Sequence, residues 1–282
     1  MKKWAVGLVF ALLSQAGWAA QAQVEGIVMP AWLERGRIVK PLLLGAELEN
    51  GDVIRTGSNA RVYLQLADGS VVKLGERARM QIGGLEQQRD VFRAALDVLQ
   101  GAFRFTTGQL NRLQTRRDVT LRVATITAGI RGTDVWGKST ADADMFCLIE
   151  GQAALTHGER NYDLSETMTY VRAERNQPAG DVRGVSVDQL NKWAAETEIA
   201  AGQGGQQAGG RWQLVLGEFA NTREALGLYD QLRREGFAAR LLPLAGRVRV
   251  RLTDFASADE AQAMARHVAE AVKTPLSEVR GH

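Results

Sequence analysis

The stretch Arg61-Val62-Tyr63-Leu64-Gln65-Leu66-Ala67-Asp68-Gly69-Ser70-Val71-Val72-Lys73-Leu74 decides the fold of the first half of the chain. Val62, Leu64 and Leu66 alternate with Arg61, Tyr63 and Gln65. A period of two places the apolar set on one face of a strand and the polar set on the other. A second apolar run follows after a short polar turn containing Asp68-Gly69. Such a turn between two alternating runs is a strong hairpin signal. The same reading extends outward. Residues 120–126 alternate, and 145–149 read as a buried strand that Glu150-Gly151 separates from residues 152–156. Leu96, Val98, Phe103 and Phe105 alternate around Gly101, which reads as two strands, with a helix over residues 89–99 as the alternative. From Gln23 to about Tyr170 the expected class is all-β.

Composition agrees with a folded chain of more than one unit. A length of 282 residues suggests about two domains. Hydrophobic residues make up 45% and charged residues 24%, which argues against wholesale disorder. Glycine is abundant, 30 residues against 5 prolines, as many tight turns between short strands require. One cysteine and three histidines exclude an internal disulfide framework and a Cys/His zinc site. No cofactor or metal motif is present. Cys147 lies in an apolar run with no activating partner nearby in sequence, so it reads as a structural thiol.

The first 22 residues read as a secretory signal peptide. Lys2 and Lys3 precede an apolar run from Trp4 to Leu13, and small residues follow up to Ala20-Gln21-Ala22. The expected cleavage is after Ala22. The apolar run is well short of the roughly 20 residues that span a bilayer, so the mature chain is expected in the periplasm without a membrane span. Processing removes two lysines and no acid, which brings the net charge of +3 close to neutrality. The charge therefore makes no case for nucleic-acid binding, which needs a concentrated basic patch.

Beyond residue 178 the character changes. Residues 185–200 suggest a short helix with Val187, Leu190, Trp193, Ala194 and Ile199 on one side. Residues 201–210, Ala-Gly-Gln-Gly-Gly-Gln-Gln-Ala-Gly-Gly, offer nothing apolar to bury and predict a flexible linker. The last block contains an internal repeat. Phe219-Ala220-Asn221-Thr222-Arg223-Glu224-Ala225 returns as Phe255-Ala256-Ser257-Ala258-Asp259-Glu260-Ala261. Each copy follows a short strand, residues 212–216 and 248–252, and opens a helix. Ser257 with Glu260 has capping-box spacing, and Asn221 with Glu224 is a variant of it. Ala225, Leu228, Tyr229 and Leu232 share one helix face, and Gly236 is a good terminator. Ala261, Met264, Ala265, Val268 and Val272 share the other. With residues 238–244 as a strand between them, the order is that of a split βαβ, ferredoxin- or RNP-like, α+β domain. The expected division is 1–22 signal, 23–178 β domain with its core at 52–155, 179–210 helix and linker, and 211–282 α+β domain.

Two resemblances follow from these residues. Residues 212–272 resemble the SPOR domain, through Gly217-x-Phe219, the Glu224-Ala225 helix, Gly236-Phe237, the Val248-Arg249-Val250-Arg251-Leu252 strand and the Glu260-Ala261 helix. The resemblance implies a module that binds peptidoglycan glycan strands denuded of stem peptides. In a split βαβ domain both helices cover one face of the sheet and leave the other open. Alternation then puts Gln213, Val215, Arg249 and Arg251 on the open face. Amide and guanidinium groups there can donate to sugar hydroxyls, acetamido carbonyls and carboxylates. Val215 and Glu218 stand where the family often has Gln and Ser. Residues 52–155 resemble the FecR domain, through Gly51-Asp52-Val53-Ile54-Arg55-Thr56-Gly57, Ala67-Asp68-Gly69-Ser70, Gln100-Gly101 and Ile130-Arg131-Gly132-Thr133-Asp134-Val135. That family is β-rich, extracytoplasmic and non-catalytic. The resemblance implies interaction with an envelope protein or ligand. Asp68 and Asp134 read as turn residues and Arg131 as one half of an ion pair.

The function that emerges is an exported envelope protein, not an enzyme, that binds peptidoglycan through the SPOR-like block and an envelope protein partner through the FecR-like block. The alternative is a cell-wall hydrolase or accessory enzyme with a carboxylate site. Against it, His157, His267 and His282 have no spaced partner for Ser/His or Cys/His catalysis. RNA binding by the split βαβ sheet is disfavoured because no stacking aromatics fall on the open face.

Overall fold

The computed structural model describes residues 21–88, 91–108, 116–273 and 278–281, with the side chain of Arg131 left aside. The expected signal segment lies outside the described residues except for residues 21 and 22. The chain opens with β1 (Ala22–Val28), β2 (Ala31–Arg35), β3 (Ile38–Pro41), β4 (Val53–Thr56), β5 (Arg61–Leu66), β6 (Val71–Leu74) and β7 (Arg79–Gln88). It continues with β8 (Val91–Thr106), β9 (Arg116–Val123), β10 (Ile126–Ser139), β11 (Ala143–His157), β12 (Arg160–Leu164), β13 (Thr169–Glu174) and β14 (Arg183–Gly184). The expected hairpin is β5–β6, with Val62 opposite Leu74 and Leu64 opposite Val72. Ala22 is the first residue of β1, opposite Leu66 and buried.

The long strands β8, β10 and β11 each take part in two runs of sheet. The first half of β8 pairs with β7 and β9, and its second half pairs with β6 and β10. The change falls at Gly101, which has φ +85°. A Cβ there would sit 2.5 Å from the Ala78 Cα, so only glycine permits the bend. The two strands expected around Gly101 are thus one bent strand. β10 and β11 change partners in the same way, near Gly132 and at Gly151. The runs turn their apolar sets inward, Val62, Leu64, Phe103, Phe105 and Phe146 from one, Ile54, Met80, Leu96, Leu121 and Ile130 from the other, into one core cluster. One expected strand is corrected. Residues 120–126 do not run straight through, because Ala124 adopts φ +45° and closes a β9–β10 hairpin. Asp144 fixes that turn by accepting from the Thr125 N–H and hydroxyl. Neither glycine nor proline marks the place in sequence.

Helix α1 (Val187–Ala195) is shorter than expected, and Val187 is 60% exposed instead of packed. Ser186 caps it, accepting from the Gln189 N–H. Its apolar side presses Leu190 and Trp193 onto a small cluster of Ala102, Trp136, Cys147 and Val185. Trp193 stacks on Trp136 at 5.0 Å between ring centroids, and Tyr170 meets Trp193 edge-on. The chain then runs as a strap across the outer face of β5, β6, β8 and β10. Lys138 holds Glu196 at 2.6 Å, and Lys73 holds Glu198 at 2.7 Å. Arg104 and the Tyr63 hydroxyl also donate to Glu198.

The expected linker is the second correction. Gly204, Gly205 and Gln206 are buried. The strand β15 (Gln206–Gln207) pairs with β1, and Gln206 also lies opposite Phe255. The Glu260 carboxylate accepts from the backbone N–H groups of Gly202, Gly204 and Gly205 at 2.6, 2.7 and 2.8 Å. A segment with no apolar side chains is ordered through its backbone amides instead, and the ordering acid comes from far along the chain. The capping box is correspondingly half made. Ser257 accepts from the Glu260 N–H, while the Glu260 side chain serves the glycines.

The C-terminal module contains β16 (Trp212–Phe219), α2 (Thr222–Arg234), β17 (Arg240–Leu244), β18 (Arg247–Phe255), α3 (Ala258–Val272) and β19 (Glu278–Gly281). Its strands run in the antiparallel order β17-β18-β16-β19. Helices α2 and α3 pack on β16 and β18, burying Ala225, Leu232, Ala261, Met264, Val268 and Val272 against Leu214, Leu216, Val250 and Leu252. The module is docked onto the β domain. The Gly236 carbonyl accepts from the Ala31 N–H at 3.1 Å, and the Trp32 indole donates to the Arg234 carbonyl at 3.2 Å.

Candidate functional site

The face of the C-terminal sheet turned away from its helices carries the four residues expected to bind. Val215 lies opposite Arg251 on one side and Glu278 on the other, and Gln213 lies opposite Arg280. The Arg251 guanidinium donates to the Gln213 amide oxygen at 3.0 Å. Gln213 and Val215 are each only 5% exposed, so the arginines form the outer layer of this face and those two its floor.

Simple alternation misses one participant. It assigns Gly217 to the open face and Glu218 to the core side. A bulge between Val215 and Gly217 reverses this. Gly217 falls opposite Val250 on the helix side, and Glu218 turns out opposite Arg249. Bulges commonly re-aim one side chain in this way. A Cβ on Gly217 would sit 2.6 Å from the Phe219 ring, so a larger residue there requires that ring to shift. The sequence carries no signal for the bulge, since Trp212, Leu214 and Leu216 keep the alternation unbroken.

Glu218 is the hub of the face. One carboxylate oxygen takes Arg249 at 2.7 Å and Arg280 at 3.2 Å. The Arg247 guanidinium donates to the Glu218 backbone carbonyl at 2.9 Å. Arg280 also holds Glu278 at 2.6 Å. Hydrogen bonding from Arg249, together with the charges of Arg249, Arg280 and Arg247, holds the Glu218 carboxyl below its ordinary range. Arg240, two strands from Glu218, reaches Asp254 at 3.5 Å. The face is therefore dominated by arginines whose donors are aimed and partly engaged. Planar guanidinium groups suit hydroxyl, amide and carboxylate acceptors.

Elsewhere the titratable groups are structural. Asp68 is buried, accepts from the Ser70 N–H and hydroxyl, and pairs with Arg117 at 2.7 Å. Asp134, read in sequence as a turn residue, is a strand residue held by Arg104 at 2.6 Å. The side chain of Arg131 lies outside the described residues. Burial and the nearby Asp134 charge push the Cys147 thiol up to about 12, which leaves it inert as a nucleophile. The His157 ring accepts from the Ala179 N–H. Among the described residues no group of three or more His, Cys, Asp or Glu could hold a metal ion. No described helix is long and apolar enough to cross a membrane.

Comparison with known proteins bears on both parts. The family described as FecR protein matches residues 52–154, and the SPOR domain matches residues 208–275. No curated protein matches the chain. Two crystal structures of a candidate anti-sigma factor from Parabacteroides distasonis ATCC 8503 are similar at the level of the backbone. One, at 2.50 Å resolution, has 14% identity and a TM-score of 0.41, and the match covers 50% of this chain and 63% of that one. The other, at 1.65 Å, has 11% identity and a TM-score of 0.42 and covers 70% and 96%. The chain thus spans under two thirds of the first of these structures, and likenesses this weak carry no argument about function. Neither matching family is catalytic, and SPOR domains are peptidoglycan-binding modules of the cell envelope. The chain is a protein in which a FecR domain is followed by a C-terminal SPOR domain.

Proposed function

We propose that this is an exported, periplasmic protein that binds denuded peptidoglycan glycan strands on the open face of its SPOR domain. The observation that carries the reading is the arginine layer of Arg249, Arg251 and Arg280 over the floor of Gln213 and Val215. The strand order β17-β18-β16-β19 with both helices on one face supports a split βαβ domain over residues 211–282. Residues 23–178 form the FecR unit and 179–210 connect it to the SPOR unit. The FecR unit engages a protein or ligand of the envelope, and the chain works by binding, not catalysis.

The test is co-sedimentation of the purified protein with sacculi, intact or stripped of stem peptides by an amidase. Stronger binding to stripped sacculi supports the reading. An Arg249→Ala protein that folds and sediments as well as wild type removes Arg249 from the site. Equal absence of wild-type binding to both kinds of sacculi overturns the reading.

A further inference from the structure

Resting on that reading, the geometry points to Arg251, supported by Arg240, as the receptor for the lactyl carboxylate that appears on muramic acid when a stem peptide is removed. The acids of the open face are divided unevenly among its arginines. Glu218 answers Arg249 at 2.7 Å and Arg280 at 3.2 Å. Glu278 takes Arg280 a second time, at 2.6 Å. Arg247 is turned onto the Glu218 carbonyl. Arg251 meets no acid among the described residues. Its Nη1 donates to the neutral Gln213 amide at 3.0 Å, and its Nε has no hydrogen-bond partner there.

A second observation points the same way. Arg240 on β17 lies directly opposite Arg251 on β18. Like charges placed opposite each other across two strands repel and cost stability. Asp254 stands 3.5 Å from Arg240 and also accepts from the Thr253 hydroxyl, and the Arg240 side chain is half exposed. An anion seated between Arg240 and Arg251 removes the repulsion and gives Arg251 the charged acceptor it lacks. A carboxylate, planar and able to take two donors, suits guanidinium groups. Denuded glycan supplies one. In an intact strand the lactyl carboxyl is an amide of the stem peptide and carries no charge. Stripping the peptide frees it as a carboxylate. Arg251 therefore reads the group that distinguishes a stripped strand from an intact one. Arg249 and Arg280, already held by Glu218, offer their remaining donors to hydroxyls and acetamido carbonyls.

The test titrates the full-length exported protein and its Arg251→Gln and Arg251→Lys variants with two forms of denuded glycan. One form keeps its lactyl carboxylates and the other has them converted to primary amides. Circular dichroism and melting temperature check the fold. Wild type is expected to prefer the carboxylate form by roughly tenfold, the difference between a charged and a neutral acceptor for a guanidinium. Arg251→Gln keeps a donor but no charge and should bring the two affinities within about twofold of each other. Arg251→Lys keeps the charge but not the planar fork and should leave a preference of about threefold, which tests the inference even if the Gln variant fails to fold. Wild type that binds both forms equally, or prefers the amide form, overturns the inference and leaves the glycan reading standing. Folded variants that keep the wild-type preference also overturn it, since Arg251 then supports the face without reading the carboxylate. If wild type binds neither form, the glycan reading falls and the inference falls with it.

Discussion

Two sheets in this molecule carry cations on the side turned away from their core, and the fold treats them differently. Over β5, β6, β8 and β10, Lys73, Arg104 and Lys138 lie beneath the strap, with Glu198 and Glu196 descending onto them and Trp193 stacked on Trp136. On β18 and β19, Arg249 and Arg280 receive an acid from their own sheet, with the Arg249 side chain 15% and the Arg280 side chain 36% exposed. The local chemistry is alike, a carboxylate held by two cations. The difference lies in where the acid comes from. An acid supplied by a distant segment ties that segment down across the face. An acid supplied by the adjacent strand ties down no other segment.

Mutations should separate the two faces. The largest effect is expected at Trp136, which is fully buried beneath helix α1. Trp136→Ala removes the platform of the Trp193 stack and should cost about 3–5 kcal/mol in chemical denaturation. A loss below about 1 kcal/mol would show that the strap does not depend on its aromatic contact.

Glu260→Ala comes next. It leaves three backbone N–H groups without their acceptor, at a cost of about 2–4 kcal/mol. The change should also expose residues 201–210 to protease. An unaltered digestion pattern would mean that the backbone pairing of β15 alone orders the segment.

Glu198→Gln should cost only about 1 kcal/mol, because the acid is partly exposed and its ion pairs are screened. Burial by itself raises the Glu198 pKa, but hydrogen bonds from Lys73 and Tyr63 and the charges of Lys73 and Arg104 outweigh it and leave the value lowered. The stabilisation is therefore complete above the ordinary glutamate value of about 4.3 and fades as the pH falls through the lower folded value. Acid titration of wild type should show this fading, and Glu198→Gln should lack it.

The smallest effect on stability is expected at the open face. Arg249→Ala should cost no more than about 1 kcal/mol in chemical denaturation, the loss of its ion pair with Glu218, while sedimentation with stripped sacculi drops. A large destabilisation would place Arg249 among the structural ion pairs and erase the contrast between the faces.

Much of this was legible in sequence because it rests on local periodicity. The β5–β6 hairpin follows from alternation and Asp68-Gly69. The faces of α2 and α3 follow from helical spacing and from Asn221 and Ser257 at their starts. Arg249 and Arg251 fall on the open face because they are two apart on a regular strand. What stayed hidden depended on partners remote in the chain. The turn at Ala124 is secured by Asp144, and the ordering of residues 202–205 by Glu260. The turning of Glu218 to the open face needed a bulge that only pairing with β18 defines.

The sequence by itself determined the two kinds of unit, their order, and which strand bears the arginines, since each follows from residue types a few positions apart. The tertiary structure alone decided that the glycine-rich segment is packed, that the strap roofs one cationic face, and that an acid sits between the arginines of the other. Backbone amides and charged groups take their partners by distance in space, and a linear pattern carries no record of it.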